Sequence, residues 1–204
     1  MQLAHHYCYF TAALTPEQCD TIIDLGEAAM DDIESSGGST KAQIADSAEE
    51  LNLRDTYVSW LDQQELYDMV HPLIHHANAA AGWNFDWDFT EPAQYTKYGK
   101  DQFYGWHADS DMAKYPEDDH ANFANKIRKL SVTVNLSDPS DYEGGNLQFD
   151  LGPHAGDTRY HNCEEIRPRG SVIVFPSHVY HQVTPVTSGT RRSLVMWSLG
   201  FPFR

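Results

Sequence analysis

The chain has 204 residues, 41% of them hydrophobic and 12% aromatic, enough to bury a core within one domain covering 1–204. Its 30 acidic and 14 basic side chains give a net charge of −16. Such a field repels phosphate backbones, which argues against nucleic acid as a partner, and it would attract a basic peptide or protein unless it serves only solubility.

Three cysteines (Cys8, Cys19, Cys163), with no Cys-x-x-Cys, suit reduced thiols rather than a disulfide framework. No apolar run approaches the roughly 20 residues of a membrane span. The opening Met1-Gln-Leu-Ala-His-His lacks the basic-then-apolar order of a secretion signal. The expectation is a cytoplasmic protein with no membrane association.

Thr15-Pro16-Glu17-Gln18 reads as a helix start, with a Thr cap, Pro at the first helical position and Gln at the capping-box position. Cys19, Ile22, Ile23, Gly26, Met30 and Ile33 then follow helical spacing. Ser35–Thr40 is a flexible break. A second helical pattern spans about Gln63 to Ala81, with Leu66, Val70, Leu73 and Ala77 on one side and Pro72 set to kink or restart it. His71 and His75 stand at a spacing that can hold zinc, but no acid or cysteine pattern completes a site, so they read as surface histidines.

From Trp83 the period changes to two. Leu130, Val132, Val134 and Leu136 alternate with Ser131, Thr133 and Asn135, as in a strand with one apolar and one polar face. Val172–Phe175 reads as a buried strand, and Arg191, Ser193, Val195 and Trp197 share one face of the last strand. Helices first and short strands afterwards predict a mainly β (α+β) fold. Residues 1–90 would form helical support, and 91–204 a double-stranded β-helix (jelly-roll) core. The aperiodic 110–126 segment between these elements is long enough to be a substrate-contacting loop or a solvated acidic one.

Tyr104-Gly-Trp-His107-Ala-Asp109 carries the chemistry. Alternate residues of an extended strand share a face, so His107 and Asp109 can aim at one point. With His181 from a distant strand they make two imidazoles and a carboxylate, which suit one face of an octahedral iron(II) and leave three positions open. His107–Asp109 is the single His-x-Asp of the chain. Ten residues past His181 comes Arg191, after a Pro185…Gly189 turn. Pairing of these two strands would bring Arg191 beside the site. An arginine facing a barrel interior needs a negative partner, and a dicarboxylate is a natural one; Ser193 on the same face can donate to it.

Three stretches together make a specific resemblance: Tyr98–Asp109, Leu130–Leu147 with its Glu143-Gly-Gly, and Phe175-Pro-Ser…His181 continuing to Arg191. From about Pro92 to Phe201 the chain resembles the 2-oxoglutarate- and iron(II)-dependent oxygenases of the prolyl 4-hydroxylase type, most closely the PKHD-type branch. The resemblance implies His107, Asp109 and His181 as iron ligands and Arg191 as the anchor of the distal carboxylate of 2-oxoglutarate. It further implies Tyr98 as a hydrogen-bond partner of that cosubstrate and Trp197 as an aromatic wall. Which of Ser131, Thr133 and Asn135 also reaches it stays open, as does whether Tyr104 faces substrate or core. The implied cofactors are Fe(II), 2-oxoglutarate and O2, with ascorbate as an optional reductant. The implied reaction hydroxylates a C–H bond with release of succinate and CO2. Halogenating relatives lack the carboxylate; Asp109 is present here, which favours hydroxylation. The implied substrate is a prolyl residue in a protein or peptide, with a free amino acid or small molecule as the alternative. A cupin-type metal enzyme would have no need of Arg191, and a jelly-roll binding module would need none of the four residues.

Overall fold

A computed structural model describes residues 5–42 and 53–203. Residues 1–4, on which part of the secretion-signal reading rests, lie outside the described residues.

Two helices form where caps and apolar stripes place them. α1 (Pro16–Ser35) opens on a complete capping box: the Gln18 N–H donates to Thr15 Oγ1 at 3.2 Å, and the Thr15 N–H donates to Gln18 Oε1 at 2.8 Å. Cys19, Ile22, Gly26 and Met30 form its buried stripe. Gly26 sits where the helix touches the Tyr95 ring, and a Cβ there would lie 2.2 Å from Tyr95 Cγ. α2 (Gln64–Ala80) continues through Pro72 as one element rather than restarting. Its buried stripe is Leu66, Val70, Ile74 and Ala77, so Ile74 takes the position expected of Leu73, which flanks it half-buried. His71 bonds Thr90 Oγ1 at 3.0 Å and His75 stacks on Trp87, with the two ring centroids 4.6 Å apart.

The strands build two facing antiparallel sheets. The major sheet runs β1 (Cys8–Phe10), β11 (Val172–Pro176), β7 (Ile127–Asn135), β14 (Arg191–Gly200), β5 (Ala93–Tyr98) and β3 (Tyr57–Leu61), with β4 (Phe89–Thr90) also paired to β14. The minor sheet runs β10 (Tyr160–Asn162), β9 (Leu147–Asp150), β12 (His181–Val183), β6 (Phe103–His107) and β2 (Arg54–Asp55). β8 (Tyr142–Gly144) and β13 (Val186–Gly189) pair separately. This is the double-stranded β-helix, with both helices packed on the outer face of the major sheet. Leu130, Val132, Val134, Leu194 and Met196 meet Ile22, Leu66 and Ile74 there. A second cluster, including Phe149, Ile173 and Phe175, fills one end of the space between the sheets. No helix among the described residues is long and apolar enough to cross a membrane, and the three cysteines are free.

Two expectations change. Strands begin well before Trp83: β1, β2 and β3 come from the first ninety residues, and being two to five residues long they show little periodicity. The strands carrying His181 and Arg191 also do not pair. β12 lies between β9 and β6, whereas β14 lies between β7 and β5. The Pro185…Gly189 turn crosses from one sheet to the other through β13 instead of closing a hairpin, so the two residues meet across the sandwich.

Glu27 ties α1 to the major sheet, accepting from Lys97 Nζ at 2.7 Å, Tyr95 Oη at 2.9 Å and Arg192 Nε at 3.0 Å. Burial alone would raise its carboxyl. The bonds from Lys97, Arg192 and Tyr95 outweigh that and hold it below its ordinary value of 4.5. The stability it adds is therefore complete above pH 4.5 and is lost as pH falls through the lower folded value. Urea denaturation across the acid range should show a steeper loss of stability in the wild type than in Glu27→Gln; parallel curves would remove this linkage.

Candidate active site

The pairing of β12 with β6 sets His181 directly opposite His107, with ring centroids 4.2 Å apart. Asp109 lies in the bend just past the end of β6, and its carboxylate reaches both rings: His107 Nε2 to Oδ1 at 3.6 Å, His181 Nε2 to Oδ2 at 3.7 Å. All three ligand atoms fall within 4.8 Å of one another, the one such grouping of three among the described residues. Each Nδ1 faces a backbone carbonyl, Gly105 O at 2.8 Å for His107 and Val179 O at 3.0 Å for His181. A carbonyl only accepts, so each Nδ1 carries the hydrogen and each Nε2 presents a lone pair to the shared point. Tyr104 stacks on His107 with centroids 3.5 Å apart, fixing the plane of that ring.

Electrostatics favour a cation at that point. Burial pushes His181 down to about 4, against the opposing pull of Asp109. Burial alone would raise Asp109, but the imidazoles of His181 and His107, with Arg128 behind them, outweigh it and hold the carboxyl far below its usual range. Asp109 Oδ2 is buried and has no hydrogen-bond partner among the described residues. A buried carboxylate oxygen so placed, beside two Nε2 lone pairs, fits a divalent metal.

Across the sandwich, Arg191 is 2% exposed. Its Nη1 donates to Ser193 Oγ at 3.2 Å and its guanidinium lies 5.3 Å from the Tyr98 ring centroid. No acid pairs with it among the described residues. Tyr98 stands opposite Arg191 in the β5–β14 register, and Thr96 opposite Ser193. All four, with Trp197, line the chamber that holds His107, Asp109 and His181. The chamber thus gathers every site residue expected from the sequence. Of the three alternatives on β7, Thr133 lines it, whereas Ser131 bonds Ser177 and Asn135 bonds the carbonyls of Ser137 and Arg167. Tyr104 lines it too, and burial lifts its phenol to about 12.

Three residues had no sequence signal. Arg54 projects from β2 into the same chamber, 4.5 Å over Tyr104, with Nη2 donating to Gln94 Oε1 at 2.8 Å and Nε buried without a partner among the described residues. Arg128 covers the Trp197 ring at 4.0 Å and forms a two-pronged pair with buried Glu91 at 2.6 and 2.7 Å. Glu91 also accepts from Tyr115 Oη at 3.0 Å, which pins the 110–126 segment beside Asp109. Each is an ordinary charged residue in a short connection or at a strand end, and only the tertiary contacts give it meaning.

A double-stranded β-helix with two imidazoles and one carboxylate converging inside it defines the mononuclear non-haem metal enzymes as the class. Residues 93–199 match the 2OG-Fe(II) oxygenase superfamily, and the chain belongs to it. Curated relatives are PKHD-type hydroxylases: one from Synechococcus sp. (strain CC9902) is 40% identical over 95 residues, and one from Alteromonas mediterranea 35% identical over 107. The match takes in 46% and 52% of this chain but only 35% and 42% of theirs, so the chain spans less than half the length of these relatives. Among solved structures, a Pseudomonas putida prolyl-4-hydroxylase superposes with a TM-score of 0.68 at 19% identity, covering 96% of this chain and 93% of that one. The viral collagen prolyl hydroxylase of Paramecium bursaria Chlorella virus-1 gives 0.65 at 18%, covering 97% of both. These two establish the shared fold.

Removing one partner of a buried ion pair strands the other. Glu91→Ala should therefore cost about 3–5 kcal/mol in urea denaturation, and Tyr115→Phe only about 1 kcal/mol. Equal costs for the two would show that Arg128 does not depend on Glu91.

Proposed function

We propose that the chain is an Fe(II)- and 2-oxoglutarate-dependent dioxygenase that hydroxylates a C–H bond. The observation that carries this is one chamber holding two unlike demands: three donors around a point, and a buried arginine with no acid partner among the described residues. His107, Asp109 and His181 would hold the iron. Arg191 would grip the distal carboxylate of the cosubstrate, with Ser193 and Tyr98 beside it and Thr133 and Thr96 within the same lining. Bound iron and 2-oxoglutarate supply the oxygen chemistry, in which substrate C–H, O2 and 2-oxoglutarate become C–OH, succinate and CO2.

The chain's own work is orientation and shielding. The two backbone carbonyls fix the imidazole tautomers, so the Nε2 lone pairs need no proton loss on binding. Trp197, Leu147, Val183 and Val195 supply the apolar part of the chamber wall. Arg128, held by Glu91, fixes the Trp197 plane from behind.

A prolyl residue in a protein or peptide is the substrate reading supported by the names of the relatives; one structural neighbour, from Trichoplax adhaerens, is a prolyl hydroxylase in complex with a peptide fragment of hypoxia inducible factor. The acidic surface suits a basic segment. A second reading, a small substrate carrying its own carboxylate, is favoured by Arg54, a chamber-lining guanidinium without an acid partner among the described residues.

Anaerobic titration of iron(II) and 2-oxoglutarate, followed by the visible charge-transfer band, tests the cofactor assignment. Wild type should develop the band, Asp109→Ala should not, and Arg191→Ala should need at least about tenfold more cosubstrate, the loss expected for a charge-assisted bidentate contact. Iron binding with no band would instead promote a cupin-type metal enzyme. Mass spectrometry of proline-containing peptides after turnover should show the gain of one oxygen atom. Gain on free proline alone would overturn the peptide reading.

A further inference from the structure

A second cavity lies away from the metal chamber. It occupies about 650 Å³ between the Trp83–Asp88 segment and the Phe201–Phe203 tail, within the range of small-molecule sites. Trp83, Phe85, Trp87 and Phe203 supply its walls. Trp83 is held by its Nε1–H donating to His5 O at 2.9 Å, and Phe85 meets Phe203 edge-on at 4.7 Å. Its one cationic lining residue is Lys129, which is 3% exposed; Asp86 and Asp88 line it as well.

A register shift puts Lys129 there. In the β7–β14 pairing Leu130 faces Ser198 and Arg128 faces Leu199, leaving Lys129 as an extra residue between them. Such a bulge re-aims the side chain it carries. Arg128 therefore turns to Trp197 and the metal chamber, and Lys129 turns into the cavity. Its ammonium lies 3.8 Å from the Phe203 ring centroid and makes no hydrogen bond or ion pair with any described residue. Burial lowers its affinity for the proton, which Asp86 opposes from a distance beyond ion pairing. Of the cavity's other charges, Asp88 is taken by Lys126 at 2.7 Å, and Asp86 is exposed.

An ammonium has three hydrogens to place, and the Phe203 ring face leaves them free for an anion entering the cavity. An aromatic ring against Trp83, Phe85 and Trp87 and a carboxylate on Lys129 would satisfy the walls and the charge together. We infer that this cavity is a second binding site, for a small aromatic carboxylate, separate from the metal chamber. A free aromatic amino acid shares that chemistry and adds an ammonium that Asp86 could meet.

The test is calorimetric titration of the protein, loaded anaerobically with Fe(II) and 2-oxoglutarate so that the chamber is filled, using 3-phenylpropionate, phenylalanine and 3-phenylpropylamine. Tryptophan fluorescence serves as a second signal. The carboxylate should bind and the amine should not. Lys129→Met should weaken the carboxylate by at least about tenfold, and Lys129→Arg should retain it. Lys129→Met is expected to fold, since an apolar chain of similar length keeps the contact with Phe203 and strands no polar partner among the described residues. Phenylalanine binding more tightly than 3-phenylpropionate, and losing that advantage in Asp86→Asn, would identify the amino-acid form. No binding of either carboxylate, or equal affinity in wild type and Lys129→Met, would overturn the proposal.

Discussion

The pairing of β6 with β12 is the constraint on which the metal-binding geometry depends. It makes His107 and His181 cross-strand neighbours, although seventy-odd residues separate them in the chain. Two local carbonyls then settle which nitrogen of each ring carries hydrogen. Asp109 needs only the bend that ends β6 to complete the set. Neighbouring strands keep this pairing from slipping: β9 holds the far side of β12, and a one-residue shift in either register would turn a histidine out of the sandwich.

Positive charge is placed with equal economy of contacts. Three guanidiniums border the chamber and each is treated differently. Arg128 is neutralised by Glu91 and serves as a fixed backing for Trp197. Among the described residues, Arg191 has a hydroxyl and a ring face for company, and Arg54 an amide and another ring, with no acid beside either. A buried cation without a counter-ion is tolerated where a ligand brings the missing charge. On that physical ground the chamber suits anionic ligands although the surface is strongly acidic.

Much of this was legible in the residues. The capping box of α1, the two-residue alternation of β7 and the His-x-Asp…His…Arg order are local or ordered patterns, and the structure brings their residues into one chamber. Sheet membership was not legible. The Pro185–Gly189 turn has the composition of a hairpin, yet it switches sheets, because nothing local says which strand β14 will meet. Arg54, Glu91 and Arg128 were silent for a related reason: a charged side chain reads as solvated until its partner, tens of residues away, is known. Leu73 and Ile74 show the finer limit, since one residue of helical phase decides which is buried, and only the sheet beneath α2 fixes that phase.

The donors around the metal point and the arginine opposite them belong to different sheets, which touch mainly through side chains rather than through shared backbone hydrogen bonds. His107, Asp109 and His181 ride on the short-stranded minor sheet, and Arg191 on the long central strand of the major one. Small sheets open more readily than long, doubly flanked ones. Amide exchange should therefore be faster around His107 and His181 than around Arg191, so the three converging donors can loosen while the arginine opposite them is still held.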